Sequence, residues 1–285
     1  MEIKNENKMK IFLTGASGFI GKRFRKLAIK NGCFVYAPSR KKRENEKSLK
    51  WLKGNFDYDW KKELSKSDIV VHLAAIGLRK ASPQEIYNTN VNRSINLLTN
   101  AIKYNCKKWL IISTSEEYSF NKYSKKNKYK TKTPRTPRND YGLSKVIFTD
   151  SSISLAKKFN CKARIMRIFP VYGPGEDKKR LYPSVMRAAQ KGKNFFVENP
   201  NEKREFSHVD YVSKVLLDAM NFDKKKFKSH QIWHVTENKP EFVKVFVKKY
   251  WKDSKAKGRI ILNKKSKVKF DHISDKKSVW KLTAV

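Results

Sequence analysis

The sequence has few acidic residues, few cysteines and no long apolar run. Its 285 residues include 26 Asp and Glu against 66 Lys and Arg, and only three cysteines, Cys33, Cys106 and Cys161. Cysteines so few and so widely spaced exclude a disulfide-stapled secreted scaffold. The longest apolar stretch, near 69–76, is far shorter than the roughly 20 residues that span a bilayer. Because residues 1–8 are polar and not a signal segment, we expect a soluble, cytoplasmic protein with no membrane partner.

The formal net charge of +40 would attract any polyanion, including nucleic acid. Most of the basic residues are lysines, 52 against 14 arginines, and they are spread along the whole chain. Lysine is a point charge, whereas base reading and bidentate phosphate binding favour arginine. A genome biased toward lysine codons would give the same pattern, so we do not predict a nucleic-acid partner. The hydrophobic content of 39% instead predicts a folded chain with a core.

Short apolar runs alternate with helical periodicity along the first 170 residues. We interpret as strands the runs at 10–14, 33–37, 68–73, 108–113 and 163–169. Pro38 is expected to end the second strand. One helix is predicted from the Ser82-Pro83 cap to Ala101 and another from near Tyr141. This alternation predicts an α/β fold with a Rossmann-type, doubly wound parallel sheet.

Beyond Gly173 the periodicity is weaker and the loops are longer. We therefore expect a Rossmann domain over 9–172, followed by a smaller C-terminal lobe over 173–285. That lobe is predicted to be mainly substrate-binding, with some of its segments returning to the Rossmann core.

A glycine-rich turn, TGASGFIG at 14–21, joins the first strand to the first helix. Gly15 permits the tight turn, Gly18 lets the backbone approach a pyrophosphate, and Gly21 allows the helix to pack closely on the strand. The helix N-terminus adds amide donors and a positive dipole for the anion. In this context the turn predicts a dinucleotide site. Its members are Gly15, Ser17, Gly18, Phe19, Ile20 and Gly21.

The residue type after the second strand bears on the choice of dinucleotide. An acidic residue there would accept the ribose hydroxyls of NAD. This chain has Ser39 and Arg40 instead, followed by Lys41, Lys42 and Arg43. An arginine can clamp a 2′-phosphate, which favours NADP over NAD. The alternative is that these residues are one more basic surface loop.

Tyr141 and Lys145 are four residues apart, so a helix would place both side chains on one face. A neighbouring ammonium stabilises a phenolate and lowers the pKa of the tyrosine, which allows proton transfer near neutral pH. Thr114 follows a buried strand and is placed to hydrogen-bond a reacting hydroxyl or keto oxygen. These three residues are the predicted catalytic set.

The motifs together resemble a known family. In order, the chain contains TGASGFIG (14–21), DIVVHLAA (68–75), NTNVNRSINLLTNA (88–101), STSEEY (113–118), YGLSK (141–145), RIFPVYGPG (167–175) and KREFSHVDYV (203–212). These segments resemble the extended short-chain dehydrogenases/reductases, in the NAD(P)-dependent sugar-nucleotide epimerase/dehydratase group.

The resemblance implies further site residues. It implies that Leu73, Ala74 and Ala75 line the cofactor, that Asn90 supports the site, and that Arg204 holds a substrate phosphate or ribose. It also implies a homodimer formed by helices near 85–103 and 139–157. It further implies that Asn55, where the family usually has an adenine-binding Asp, and its neighbour Phe56 flank the adenine of the cofactor. Pro170 stands where the family often has Asn, which removes a hydrogen-bond donor from the pyrophosphate side.

Glu116 bears on the reaction type. The run 114–118 is similar to the Thr-Ser-Glu-x-Tyr run of sugar-nucleotide 4,6-dehydratases, in which the glutamate abstracts a proton beside a transient 4-keto group. Dehydration also needs an acid, and Ser115 is a poor one. The alternative is that Glu116 caps its loop or pairs with a lysine. The shortness of the chain and the Ser39-Arg40 pair look instead like NADP-using 4-ketosugar reductases.

We therefore expect an NAD(P)-dependent oxidoreductase or epimerase that transfers a hydride at C4 of a nucleotide-linked sugar. The alternatives are a 4,6-dehydratase with Glu116 as base and, from another class, a non-catalytic RNA-binding relative. His72 is expected to be a hydrogen-bonded core histidine. No histidine, including His272, has metal-ligand spacing, so no metal is predicted.

Overall fold

The computed structural model describes residues 8–77, 81–118, 128–222, 230–254, 256–266 and 273–282. Its main sheet has seven strands, all paired in parallel. These are β1 (Lys10–Thr14), β2 (Phe34–Ser39), β3 (Leu49–Lys53), β4 (Ile69–His72), β5 (Lys108–Thr114), β6 (Lys162–Ile168) and β11 (Gln231–Val235). Their order across the sheet, β3-β2-β1-β4-β5-β6-β11, is the Rossmann order extended by one strand. The predicted fold class is confirmed.

Helices connect these strands. They are α1 (Phe19–Lys30), α2 (Lys61–Leu64), α3 (Pro83–Tyr87), α4 (Ser94–Lys103), α5 (Asp140–Lys158), α6 (Leu181–Gln190), α7 (Val209–Ala219) and α8 (Val243–Asp253). A π-helical segment covers Asn88–Arg93, and 3-10 turns cover Ser115–Glu117 and Lys276–Ser278. Of the helices within the described ranges, none combines the length and apolarity needed to cross a membrane.

Alternate side chains of β1 enter opposite cores. Ile11 and Leu13 belong to a core with Phe24 of α1 and Val212 of α7. Phe12 points to the other face, where the core includes Leu97, Leu98 and Phe148 from α4 and α5. Since helices cover both faces, the strands are nearly continuous apolar runs, as expected of a parallel sheet.

Six short strands form three pairs outside the main sheet. They are β7 (Val171–Tyr172) with β10 (Ser207–His208), β8 (Phe195–Val197) with β13 (Ile260–Leu262), and β9 (Lys203–Glu205) with β12 (Pro240–Phe242). A separate apolar cluster joins α6 and α8 through residues such as Val185 and Val247. In contrast, α7 packs on α1, and β11 extends the main sheet, so this later part of the chain contributes to both regions.

The second strand was predicted wrongly at its end. β2 continues through Pro38 to Ser39, where it pairs with β3. β1 pairs with β2 only as far as Tyr36, so a proline at position 38 breaks no bond to that neighbour. β3 itself was not predicted, because only Leu49 and Leu52 of its five residues are fully buried and the rest are basic or half-exposed.

The helix predicted from Ser82 to Ala101 is interrupted. Ser82 caps α3 with a reciprocal pair of hydrogen bonds to Glu85, and Pro83 is its first residue, as predicted. The π-helical segment then separates α3 from α4. Asn90 lies within this segment, where it is buried beside the site described below.

Gly21 offers a test of the close contact between α1 and the glycine-rich turn. A Cβ built there would lie 2.1 Å from the Gly15 carbonyl oxygen. We expect Gly21→Ala to lower the free energy of unfolding by about 1–3 kcal/mol, because the backbone must move to admit the methyl group. Urea denaturation measures the change. Gly77→Ala is the control, since its Cβ would meet no described atom within 4 Å; equal losses in the two variants would contradict the account.

Candidate active site

The site lies where three parallel strands end. β1 ends at Thr14, which is in register with His72 at the end of β4, and β5 ends two strands from β1 at Thr114. Each strand is followed at once by a predicted site segment. Crevices beyond the carboxyl ends of such strands are where α/β proteins bind ligands.

The glycine-rich turn packs against the segment that follows β4. Gly15 has φ +70°, and a Cβ on it would lie 2.8 Å from the Ala74 nitrogen. The Ala74 amide donates to the Thr14 hydroxyl at 3.1 Å, and Gly18 begins α1, whose first turn has no acidic residue. A glycine turn that leads into a helix N-terminus without acidic residues suits an anion, so these residues fit the pyrophosphate of a dinucleotide.

A recess of about 390 Å³ lies at the far end of this crevice. It is lined by Arg40, Lys53, Gly54, Asn55 and Tyr58. Arg40 and Asn55 were predicted from the sequence, and Lys53 at the end of β3 was not. Ser39 is buried and donates to the Lys41 carbonyl at 2.9 Å, so its hydroxyl is already engaged. The charged groups at this end of the crevice are therefore Arg40 and Lys53, with the side-chain amide of Asn55 beside them.

Tyr141 and Lys145 lie in the first turns of α5, as predicted. Asn139 caps this helix by accepting from the Gly142 amide at 2.8 Å. A Cβ on Gly142 would lie 2.5 Å from the Glu116 carbonyl oxygen, so the helix start packs closely on the 3-10 turn after Thr114. The hydroxyls of Tyr141 and Thr114 are hydrogen-bonded to each other. The structure thus brings the three predicted catalytic residues together.

The charge states differ in part from the prediction. Burial and the Glu116 carboxylate raise the pKa of Tyr141, against the opposing effects of Arg180 and the Thr114 hydrogen bond. The lowered pKa that we expected for Tyr141 is therefore not found. Burial lowers the pKa of Lys145 to about 8, opposed by the Glu117 carboxylate. At that value Lys145 is still mostly protonated at neutral pH.

Glu116 is half-buried beside Tyr141. Its carboxylate accepts a hydrogen bond from the Asn139 side chain at 3.4 Å, and its amide donates to the Thr114 hydroxyl at 3.2 Å. Thr114 is thus the cap of this turn, and Glu116 does not cap it with its own side chain. The carboxylate nevertheless lies close enough to Tyr141 to raise its pKa.

Asn90 and His72 hold the surrounding segments in place. Asn90 accepts from the Ile76 amide at 2.8 Å and donates to the Ser144 hydroxyl at 3.1 Å, which joins the segment after β4 to α5. His72 lies between the hydroxyls of Thr14 (2.8 Å) and Ser94 (3.0 Å). Burial and Lys145 hold the pKa of His72 well below its usual value, so it is a neutral core histidine, as predicted.

The other predicted positions are more dispersed. Leu73 lies against Gly15, while Ser17 and Ala75 are exposed. Phe56 packs edge-on against His72. The carbonyl of Pro170 accepts from the Ser207 amide at 2.9 Å. Arg204 lies in β9, where two 2.8 Å hydrogen bonds pair it with Glu202.

Two charged groups near the catalytic residues were not predicted. Arg180 directly precedes α6, and its charge lowers the pKa of Tyr141. It forms an ion pair with Glu176 at 3.3 Å, and burial raises the pKa of Glu176 to about 7. Glu117, the neighbour of Glu116, is fully buried and paired with Arg167. Two consecutive glutamates after an apolar strand were the available signal for Glu117. Among the residues that the structure describes, no group of three or more His, Cys, Asp or Glu could hold a metal ion.

A doubly wound parallel sheet with this turn and this helix start defines a Rossmann-type protein of the short-chain dehydrogenase/reductase kind. The model of the NAD dependent epimerase/dehydratase family matches residues 11–233. The chain belongs to that family.

Curated relatives are nucleotide-sugar enzymes. The chain is 31% identical to a UDP-glucose 4-epimerase of Vibrio cholerae over 64% of this chain and 57% of that protein, so the match spans less than two thirds of the relative. It is 28% identical to a GDP-6-deoxy-D-talose 4-dehydrogenase of Aggregatibacter actinomycetemcomitans over 71% and 67%. A CDP-abequose synthase of Salmonella typhimurium is 25% identical over 74% and 69%.

Solved structures agree in fold. A UDP-glucose 4-epimerase of Thermotoga maritima, bound to UDP-glucose, gives a TM-score of 0.80 at 20% identity over 94% of this chain and 90% of that one. A UDP-N-acetylglucosamine 4-epimerase of Methanobrevibacter ruminantium gives 0.82 at 20% identity over 94% and 89%. At this identity the likeness shows the fold alone.

Proposed function

We propose that the protein is an NAD(P)-dependent oxidoreductase or epimerase of a nucleotide-linked sugar, with hydride transfer at sugar C4. The observation that carries this proposal is the hydrogen-bonded pair Thr114–Tyr141 with Lys145 one helical turn away, at the strand ends beside the glycine-rich turn. Two curated relatives have names that specify position 4 of a nucleotide sugar. An RNA-binding protein without catalysis would have no use for all three residues.

Each residue of the set has a distinct task. A bound nicotinamide would accept the hydride of C4 and could return it. Thr114 hydrogen-bonds the reacting oxygen and orients it toward Tyr141. The Tyr141 phenolate takes up the proton of that oxygen and becomes a hydroxyl, which can give the proton back. Because burial and Glu116 disfavour a phenolate at Tyr141, the charge of Lys145 has to stabilise it.

The remaining predicted residues have binding roles. Gly15, Gly18 and the start of α1 would hold the pyrophosphate, with Leu73, Ala74 and Ala75 lining the crevice. Asn55 and Phe56 would flank the adenine. We also propose that 173–285 mainly forms a substrate-binding lobe and that Arg204 there contacts a phosphate or ribose once its pair with Glu202 opens.

The test is a panel of UDP-, dTDP-, CDP- and GDP-linked hexoses, supplied with NAD(H) and NADP(H), with the sugar mass as readout. Epimerisation leaves the mass unchanged, and reduction adds two hydrogens.

Tyr141→Phe should reduce turnover at least ~100-fold and leave cofactor affinity nearly unchanged, because it removes only the transferring hydroxyl. Tyr104→Phe is the control, since its hydroxyl bonds Asp59 away from the site. Activity of Tyr141→Phe within a few-fold of the parent would overturn the assignment.

We further propose that NADP is preferred to NAD. The support is the recess lined by Arg40 and Lys53, two cations at the end where a 2′-phosphate would lie. An exposed arginine can bind a phosphate through two parallel hydrogen bonds, which a ribose hydroxyl does not offer.

Arg40→Ala should therefore weaken NADP binding about tenfold or more and NAD binding by less than about twofold, since a charge-assisted hydrogen bond contributes roughly 1.5–3 kcal/mol. Dissociation constants from fluorescence titration give both values. Arg259→Ala, an exposed arginine of the later part of the chain, controls for the change in net charge. Equal losses for the two dinucleotides would show that Arg40 is only surface charge.

A sugar-nucleotide 4,6-dehydratase is the second candidate. The observation in its favour is that Glu116 is half-buried next to Tyr141, where a base would reach the proton at C5 of a 4-keto sugar. Dehydration also needs an acid for the leaving hydroxyl, and Ser115 does not readily supply one. We therefore favour the reductase or epimerase.

Glu116→Gln separates these reactions. In a dehydratase, this change should abolish loss of water and the entry of solvent deuterium at C5, while oxidation at C4 continues. In a reductase or 4-epimerase, turnover should change only slightly, because no base at C5 is needed. We expect the second result. Asp253→Asn, at the end of α8, is the control for the lost charge; C5 exchange in the parent that disappears in Glu116→Gln would contradict our preference.

We also propose a homodimer built on α5. Its sheet-facing side is buried, yet Leu143 and Ile147, one turn apart on the outer side, are 41% and 38% exposed. A helix that is apolar on two sides is suited to pack against a second copy.

A further inference from the structure

A fully buried carboxylate lies next to the catalytic residues. Glu117 ends the 3-10 turn that begins at Ser115, and its side chain points into the core, while that of Glu116 lies at the crevice. The carboxylate accepts hydrogen bonds from the hydroxyls of Ser113 and Thr149 (2.8 Å to Thr149) and from Arg167 at 2.5 Å. Arg135 lies 3.5 Å away.

The partners of Glu117 come from different elements. Ser113 belongs to β5, next to Thr114, whereas Thr149 belongs to α5, one turn after Lys145, and Arg167 belongs to β6. The carboxylate therefore joins the strand that carries Thr114 to the helix that carries Tyr141 and Lys145. Without this carboxylate, Thr114 would be held less firmly relative to Tyr141 and Lys145.

Stability alone does not account for a buried ion pair. Removing a carboxylate and a guanidinium from water costs several kcal/mol for each ion, and apolar side chains of similar volume are often as stable or more so. The network continues from Arg167 to Tyr118, and from Tyr118 to His234 at 2.5 Å. Burial lowers the pKa of His234 to about 3, so this end of the network is neutral. Glu117 is thus the anion of a network whose buried cation is Arg167, with Arg135 as a second, partly exposed cation.

Glu117 also acts on Lys145. Its charge raises the pKa of Lys145 against the effect of burial. The other groups that face the ammonium are the ring of Phe148, 5.5 Å away, and the neutral imidazole of His72 on β4; Tyr141 lies one turn before it on the same helix. Without Glu117, burial would act unopposed and Lys145 would lose its proton at a lower pH.

We propose that Glu117 is a positioning residue of the hydride-transfer site: its carboxylate, bonded to Ser113 of β5 and Thr149 of α5, holds the helix that carries Tyr141 and Lys145 against the end of β5. The kinetic consequence rests on the proposed function, but the effect on Lys145 does not. A merely structural Glu117 would change stability and lower activity at every pH, whereas a positioning Glu117 moves the titration of Lys145 itself.

The experiment measures the titration of Lys145 by NMR of protein labelled with [ε-13C]lysine, and Lys145→Arg assigns the resonance. Glu117→Gln keeps the shape of the side chain and removes its charge, so the midpoint should move down by about one pH unit. Glu63→Gln is the matched control, because Glu63 is also a buried glutamate and pairs with Lys50 at 2.8 Å on another part of the sheet. The control should leave the Lys145 midpoint unchanged.

An unchanged midpoint in folded Glu117→Gln overturns the proposal. If that variant does not fold, the pair Glu117→Leu with Arg167→Met removes both buried charges together; because the lost Arg167 cation opposed Glu117 at Lys145, a smaller downward shift is expected, and no shift overturns the proposal. Where the parent turns over a nucleotide sugar, the basic limb of its pH profile should move with the midpoint. A shifted midpoint in a protein without such turnover would refute the proposed function and support this one.

Discussion

Parallel pairing of β1, β4 and β5 is the constraint on which the site depends. Because these three strands point the same way, the segments after Thr14, His72 and Thr114 all start at one edge of the sheet. The glycine-rich turn and Tyr141, the proposed proton-transferring residue, can then meet, although about 120 residues separate them in the chain. The same pairing requires helices on both faces, which explains the continuous apolar strands.

Burial acts on the pKa values of both Tyr141 and Lys145, and in each case a neighbouring charge opposes it in part. Burial lowers the pKa of Lys145 to about 8 and raises that of Tyr141, so each group is driven toward its neutral form. Carboxylates and guanidinium groups nearby restore part of the charge. Glu117 acts on Lys145, and Arg180 acts on Tyr141. The protonation states that the proposed proton transfer would need thus depend on neighbouring charged side chains as well as on burial.

Local patterns predicted the glycine-rich turn, the main strands except β3 and β11, and the start of α5, because each depends on neighbouring residues. They did not predict contacts between distant segments. The π-helical segment that buries Asn90 and the pairing of Glu117 with Arg167 depend on packing across the sheet. The prediction that Pro38 ends the second strand was wrong for the same reason. Whether a proline ends a strand depends on whether a neighbouring strand requires a hydrogen-bond donor at that position. Local patterns therefore predicted where Thr114, Tyr141 and Lys145 lie in the fold, but not which charged side chains pack around them.

The proposed transfer of the C4 hydrogen to the dinucleotide can be followed in a single turnover. The enzyme with its oxidised dinucleotide is mixed with the active nucleotide sugar carrying hydrogen or deuterium at C4, and absorbance at 340 nm is followed. The account predicts a rise at 340 nm that deuterium slows by about two- to fourfold, and that Tyr141→Phe abolishes. Turnover of the sugar with no change at 340 nm and no isotope effect would contradict it.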